Sequence, residues 1–432
     1  MSPHPSAHVV RLGVLGHGVV GSAFVALVTQ QANQILARSG VRLEVTKICV
    51  RDTTKKHSIP SGAVLVSDPV ALVHDPQVDL VVEVMGGIEP ARELVFAALG
   101  KHKPVVTANK ALLARHGIEL FNAADNAGTD LLFEAAVCGG IPLIRPLRES
   151  LRGEPISRVM GIVNGTTNFI LTKMSEDGAD YGDALAQAQQ LGFAEADPTA
   201  DVQGNDAASK IAIIASIAFG SIVRMDDVFT EGITKITSAD ITIARKFGYA
   251  VKLLGVAEMD EKSSMLSVRV HPSLVPLNNP LATVRESFNA VVVDGRASGS
   301  LMFYGRGAGG EPTASAVLGD VIDAAINLRK GTHAPLGTFS NVQLMPMSDV
   351  HCEYMIGLEV ADKPGVLHTV TGVFARNGVS IRAAEQDGMG ADARLVFLTH
   401  NANEAAVQRC LAEFKSLDVV SHVGALLRVI AG

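Results

Sequence analysis

The feature that most restricts this chain is a glycine triplet set between an apolar run and a helical pattern. Residues 9–15 read V-V-R-L-G-V-L, a buried strand, and lead directly into Gly16-His17-Gly18-Val19-Val20-Gly21. A helical pattern follows from residue 22 to about residue 38 and closes at Gly40. In this strand–turn–helix setting the first glycine permits the tight turn and the second lets a pyrophosphate approach the backbone. The third lets helix and strand pack closely. The helix start adds unpaired N–H groups and a positive dipole end for phosphates. Gly16, Gly18, Val19, Val20 and Gly21 are therefore the expected contacts of a dinucleotide. An isolated glycine loop would be no more than a turn; the complete context makes it a cofactor site.

Residues 43–50 are the next expected strand, and Arg51 stands where an NAD site would carry an acid, with Lys55 and Lys56 just beyond. An arginine there can pair with a 2′-phosphate, which favours NADP over NAD. Adjacent Asp52 argues the other way, because it could bond a ribose hydroxyl. The alternation continues with a strand over 79–85 ending at Gly86-Gly87, a helix over 90–100, and a strand over 104–106. That last strand ends at Thr107-Ala108-Asn109-Lys110, and the C-terminal ends of parallel strands line the ligand crevice, so Lys110 is placed beside cofactor or substrate. A further strand over 130–134 leads into A-A-V-C-G-G-I-P at 135–142.

Composition limits the function classes. A chain of 432 residues suggests about three domains. Its 47% hydrophobic and 19% charged content is globular, and a net charge of -7 with 4% aromatics and no Trp argues against a nucleic-acid surface. The mean hydropathy of +0.27 raises a membrane. However, the longest apolar stretch, 211–223, is too short to span, is broken by Ser216, Gly220 and Ser221, and sits between Lys210 and Arg224. No basic segment followed by an apolar one occurs near Met1, so no secretion signal is expected. The scattered Cys49, Cys138, Cys352 and Cys410 form no CxxC pair, and the 13 histidines form no HExxH pattern. No zinc site is expected, and a reducing cytoplasm fits.

From about residue 141 the regular alternation gives way to a mixed pattern, with an extended run at 154–163 and a polar turn, Asn164 to Asn168, opening a helix. A second helix over 181–190 is stopped by Gly192. Then come Glu195, Asp197, Asp201, Asp206 and Lys210 within eighteen or fewer positions of Gly192. Asp206 and Lys210 share a helix face at i and i+4. On an exposed helix such a pair contributes about 0.3–0.5 kcal/mol and nothing more. Here the following residues, Ile211, Ile213, Ile214 and Ile217, make the helix apolar nearly all round, so its polar start opens into a cleft. A lysine partly desolvated beside a carboxylate can pass a proton to a substrate oxygen, while Glu195 and Asp201 offer carboxylates to a cationic substrate group.

Six segments in order now resemble the homoserine dehydrogenase family: G-H-G-V-V-G (16–21), T-A-N-K (107–110), E-A-A-V-C-G-G-I-P (134–142), G-I-V-N-G-T-T-N-F-I-L (161–171), G-F-A-E-A-D-P (192–198) and D-V-Q-G-N-D-A-A-S-K (201–210). They cover most of residues 9–330. The resemblance implies NAD(P)H-dependent reduction of L-aspartate 4-semialdehyde to L-homoserine. It assigns Lys210 as proton donor, Lys110 as a second active-site lysine, and Glu195 and Asp206 as substrate-binding carboxylates, Glu195 for the α-ammonium. It also implies a backbone contact of Gly192 on the nicotinamide side, and a cofactor contact within Gly305–Gly310, with Gly309 as the candidate. A monovalent cation, sodium, is implied on backbone carbonyls at Glu134, Val137, Gly139 and Ile141.

After a connector at 329–350, residues 354–430 show strand, helix, hairpin, helix and strand, a ferredoxin-like βαββαβ order. D-K-P-G-V-L at 362–367 and N-G-V-S-I at 377–381 resemble an ACT domain, which implies an amino-acid effector, L-threonine, or else a pairing module without ligand. Removal of 352–432 is expected to leave catalysis and abolish inhibition. The expected architecture is α/β. A Rossmann domain occupies 1–140 and is completed by about 311–345. An α+β catalytic and dimerisation domain with a mixed sheet spans 141–310, and a regulatory unit spans 351–432, in a homodimer or homotetramer. Two readings compete with the enzyme: an amino-acid sensor whose Rossmann domain is not catalytic, and a related semialdehyde dehydrogenase using Cys138 as nucleophile. Lys110, Glu195, Asp206 and Lys210 together favour the enzyme, and the absence of a nearby histidine disfavours a nucleophilic Cys138.

Overall fold

The computed structural model describes residues 8–388, 390 and 393–430. Residues 1–7, 389, 391, 392, 431 and 432 lie outside the described residues. The first half builds six strands: β1 (His8–Leu15), β2 (Val41–Cys49), β3 (Val64–Val66), β4 (Leu80–Glu83), β5 (Val105–Thr107) and β6 (Leu131–Leu132). They pair in parallel in the order β3-β2-β1-β4-β5-β6, the doubly wound arrangement that binds nucleotides at its central crevice. β4 and β5 are buried along their whole length, as central strands covered on both faces must be.

Two local expectations are corrected. The helix expected from 22 to 38 is two helices, Val19–Gln30 and Ala32–Ser39, separated at Gln31 (φ -100°, ψ 8°). No glycine or proline marks that break. The strand expected over 130–134 ends at Leu132, and Glu134 turns into a short 3₁₀ segment, Glu134–Ala136. The cause is the Glu134 carboxylate, which accepts the N–H groups of Leu143, Ile144 and Arg145 at 2.5, 2.8 and 2.8 Å. Three such bonds outweigh continuation of a two-residue ladder.

The helix Gly310–Lys330 returns to this half, where Ala314, Val317, Leu318 and Val321 share a core with Val10, Leu12 and Phe24. The chain beyond it crosses to the middle unit, with Ser340 and Gln343 carbonyls accepting from Ile222 and Leu266. That unit contains β7 (Ile156–Ile162), β8 (Phe229–Thr230), β9 (Tyr249–Asp260), β10 (Met265–Pro276), β11 (Phe288–Gly295) and β12 (Gly299–Arg306). Against this sheet lies the helix Asn205–Phe219, buried at every residue from Asp206 to Ser216, as its all-round apolar sequence requires.

The C-terminal unit has the expected βαββαβ order: β13 (His351–Val360), helix Val366–Arg376, β14 (Ile381–Asp387), β15 (Arg394–Thr399), the short β16 (Ala402–Asn403), helix Glu404–Phe414 and β17 (Val420–Val429). Tyr354, Ile356, Val370, Phe374, Phe397 and Phe414 form its core. It is not a separate bead. β17 pairs in parallel with β10 (Ser273 with Arg428, Leu274 with Val429), so one sheet runs β12-β11-β7-β9-β10-β17-β13-β15-β14. Among the described residues no helix is long and apolar enough to cross a membrane.

Candidate active site

The start of the buried helix Asn205–Phe219 faces the C-terminal ends of β4 and β5, and the charged residues meet there. Lys210 is 8% exposed, and its ammonium donates to the Val163 carbonyl at 2.7 Å and pairs with Asp206 at 2.8 Å. Lys110, the first residue of the helix Lys110–Ala127, reaches the other Asp206 oxygen from the cofactor side. Asp206 thus holds two ammonium groups from two domains. Burial pushes the Asp206 carboxyl upward, but Lys210 and Lys110 overcome it and hold it well below the usual carboxylate range. Burial likewise pushes Lys210 down, yet Asp206, assisted by Cys138 and Asp201, raises its pKa above the ordinary lysine value. Two lysines, one buried and one exposed on the cofactor side, meet on this one carboxylate. A developing oxyanion would be stabilised there.

Neighbouring polar groups fix these three. Asn109 caps the Lys110 helix by accepting from Leu112 N–H at 3.1 Å and donates to Gly87 O at 2.6 Å. Glu83, fully buried at the end of β4, accepts from Thr107 Oγ1 at 2.6 Å and from the Met85 and Gly86 amides at 2.9 and 3.2 Å. Burial raises its pKa, and those hydrogen bonds oppose the rise. Asn164 caps the helix Gly165–Glu176 through Thr167 N–H, while its amide donates to Asp201 at 2.7 Å and Asp206 at 2.8 Å. Glu83 and Asn164 were not singled out from the sequence as site residues. Asn164 carried a signal, a capping asparagine inside N-G-T-T-N. Glu83 carried only its position at a strand end.

The expected dinucleotide contacts form a fitting cradle. Gly16 has φ +105°, a Cβ on Gly21 would stand 2.2 Å from the Gly16 carbonyl, and the space above Gly18 is open. The helix Val19–Gln30 begins without a side-chain cap or an acidic residue in its first turn, leaving its N–H groups to a ligand. Gly309 (φ +124°) caps the helix Gly310–Lys330, and Gly310 lies against Val19, so the 305–310 run borders the same loop. Arg51 is exposed beyond β2, whereas Asp52 is engaged by Thr54 N–H and Oγ1 at 3.0 and 2.6 Å. His17 of the glycine loop touches His57 (Nδ1 to Nδ1, 3.3 Å).

Other expected residues stand apart from the lysines. Asp201 joins Asp206 through Asn164, but Glu195 and Gly192 are exposed on the loop before Asp201, and no side-chain partner of Glu195 occurs among the described residues. Glu134, Val137, Gly139 and Ile141 lie in a tight turn with successive positive φ at Cys138 (+55°) and Gly139 (+50°). Cys138 is fully buried, and burial pushes its thiol up to about 11, with Lys210 opposing. A thiol so protonated is a poor nucleophile.

With this geometry in hand, three family models match the chain: homoserine dehydrogenase over 142–322, homoserine dehydrogenase NAD binding domain over 16–134, and ACT domain over 354–419. The chain is 48% identical over 424 residues to a homoserine dehydrogenase of Corynebacterium glutamicum, covering 97% of this chain and 95% of that protein. It is 49% identical over 430 residues to one of Mycobacterium tuberculosis, with 97% of each covered. Among solved structures, a homoserine dehydrogenase from Thiobacillus denitrificans superposes with a TM-score of 0.92 at 39% identity, covering 98% of both chains. A hyperthermophilic archaeal homoserine dehydrogenase mutant in complex with NADPH superposes with a TM-score of 0.63 at 31% identity, covering 74% of this chain and 98% of that one.

Proposed function

The chain belongs to the homoserine dehydrogenase family, and we propose that Lys210 is the proton donor with which it reduces L-aspartate 4-semialdehyde to L-homoserine. The observation that carries this assignment is the Lys210–Asp206–Lys110 cluster at the mouth of the cofactor crevice, in which Lys210 and Asp206 are buried and Lys110 reaches in from an exposed position. When bound, the reduced nicotinamide supplies a hydride to the aldehyde carbon. Lys210 gives its proton to the aldehyde oxygen as negative charge collects there, and Asp206 keeps Lys210 charged until that moment. Lys110 adds a second positive charge at the same oxygen. Glu195 and Asp201 supply carboxylates for the substrate α-ammonium. Asp201 is supported by its link to Asp206 through Asn164, and Glu195 by its motif.

Gly16, Gly18, Val19, Val20, Gly21, Gly192 and Gly309 would hold the dinucleotide. NADP is favoured because Arg51 is exposed while Asp52 is committed to Thr54; the archaeal relative solved with NADPH supports the same choice. A sodium ion would rest on the carbonyls of Glu134, Val137, Gly139 and Ile141. The left-handed pair Cys138–Gly139 bends that chain, and the Glu134 carboxylate is already engaged by three amides. The ACT unit would take L-threonine as a feedback inhibitor near 362–367 and 377–381. A homodimer or homotetramer is supported by β12, a free sheet edge exposing Met302 and Tyr304, and a cytoplasmic setting by unpaired cysteines. Absorbance at 340 nm with homoserine and NADP or NAD, with and without threonine, tests reaction, cofactor and inhibition together. Absence of homoserine-dependent reduction of either cofactor would overturn the activity.

A further inference from the structure

We infer that Arg428, in the last strand of the ACT unit, is a positioning residue for the catalytic helix and acts through Glu231. Arg428 is 1% exposed and binds two carboxylates from different units. Its Nε and Nη2 donate to both oxygens of Glu404 at 2.9 and 2.6 Å, and Nη1 donates to Glu231. Its guanidinium also lies over the Phe229 ring, 5.3 Å from the centroid. Glu404 belongs to the ACT helix Glu404–Phe414, whereas Phe229 and Glu231 belong to the middle unit. A buried group of this kind contributes little net stability compared with apolar residues of similar volume. What it supplies is direction: both carboxylates are held at fixed angles to one planar cation.

Glu231 leads to the active site in two steps. The residue itself is anchored to β10, its N–H donating to Val270 O at 2.8 Å. The next residue, Gly232, is pressed so closely against the end of the short helix Thr199–Val202 that a Cβ there would stand 2.1 Å from Val202 O. Ile233 N–H donates to the same carbonyl at 2.8 Å. Gly204, which caps the catalytic helix in a left-handed conformation, would meet Thr230 and Val270 with any side chain, at 3.0 and 3.2 Å. Residues 201–206, carrying Asp201 and Asp206, are therefore seated on the 230–233 segment that Arg428 grips. β17 also pairs with β10 at Arg428 itself, opposite Ser273. A displacement of β17 moves Glu231 and so alters the placement of Asp206 and its two lysines.

This inference rests on the activity proposed above, and its test separates the two. Glu231 is 38% exposed, and its removal leaves Arg428 still neutralised by Glu404, so Glu231→Ala leaves the fold intact. In the full chain, Glu231→Ala is expected to raise KM for homoserine about five- to tenfold, the scale of measured coupling between sites. KM for NADP and the thermal midpoint are expected to stay unchanged. Amide exchange over 199–206 should quicken by a similar factor, and Glu231→Gln, which keeps the hydrogen bond without the charge, should fall between. Homoserine KM and exchange both within twofold of the unsubstituted chain would overturn the inference. So would a uniform loss in both KM values accompanied by a lower thermal midpoint, the mark of a merely structural role. If the unsubstituted chain failed to oxidise homoserine, the activity reading would fall, while amide exchange, which needs no substrate, would still decide the positioning role.

Discussion

Asp206→Asn is the substitution whose consequences follow most directly from the geometry. It removes charge but little volume from a carboxylate that is 7% exposed and holds two ammonium groups. At 2.8 Å and an effective dielectric of about 20, the Asp206–Lys210 attraction is roughly 6 kcal/mol, or about 4 pKa units. In its absence, burial, which lowers a lysine by up to about 3–5 units, is opposed at Lys210 only by the smaller contributions of Cys138 and Asp201. The variant's Lys210 is then held below its ordinary value instead of above it. Less of it is protonated at mildly alkaline pH, so kcat/KM for reduction falls there by up to about the 10²–10⁴-fold contribution of a general acid and recovers as the solution is acidified. The assay is the alkaline limb of kcat/KM for aspartate semialdehyde reduction, followed at 340 nm. An alkaline limb within half a unit of the unsubstituted enzyme's, at any level of activity, would refute the argument. The stability profile gives a second check. Asp206, depressed in the fold, contributes stability above about pH 3.9 that is lost as pH falls through its folded pKa. Lys210, raised in the fold, contributes stability below about pH 10.4 that is lost as pH rises through its folded pKa. Both limbs should flatten in the variant's thermal melts.

Three further outcomes are expected. Lys210→Ala should lower kcat by about 10²–10⁴-fold at every pH, since the ammonium that remains, Lys110, is an exposed side chain held on Asp206 from the cofactor side; survival of near-normal turnover would remove Lys210 from the mechanism. Cys138→Ser should keep kcat within a few-fold, because the buried thiol stays protonated, and a loss beyond a hundredfold would revive the cysteine nucleophile. Arg51→Ala should raise KM for NADP about tenfold or more, the value of a hydrogen bond to a charged group. Its KM for NAD should stay unchanged, and equal effects on both cofactors would refute the 2′-phosphate contact.

Local patterns were the legible part of this chain. The strand–glycine–helix start, the alternation to Lys110 and the βαββαβ tail each depend on spacing within about thirty residues, which a sequence displays directly. The pairing of Asp206 with Lys210 was legible for the same reason, four residues on one helix face. The contact between Lys110 and Asp206 was not, since it spans 96 positions and depends on how two domains dock. Glu83 illustrates a different blindness. It reads as one more residue in D-L-V-V-E-V-M, and only the fold reveals a buried carboxylate that ties the Met85–Gly86 loop to Thr107. The break at Gln31 had no glycine or proline to announce it, because an unremarkable residue can leave helical geometry without strain.

The C-terminal boundary is where sequence reasoning and structure part most, and the reason is physical. Spacing marks the C-terminal residues as a self-contained unit, and the ACT resemblance implies that 352–432 could be removed to leave catalysis. Its join to the middle unit, however, includes two parallel residue pairs between β10 and β17, an Ile430-to-Leu274 hydrogen bond, the buried Arg428, an Arg394–Asp240 ion pair, and the packing of Met355, Leu398 and Leu427 into the core of the middle unit. Parallel pairing across 155 positions (273 to 428) leaves no hairpin turn to read, and Arg428 in V-G-A-L-L-R-V-I looks like an ordinary strand arginine. Removing the unit strips β17 from β10, opens a sheet edge whose Ser273 and Leu274 were paired, and leaves Glu231 without its cation. A truncated enzyme therefore carries several changes at once, among them loss of the effector unit, loss of the grip on residues 230–233 and loss of the cation on Asp240. Only a substitution such as Glu231→Ala, which leaves the ACT unit in place, separates them.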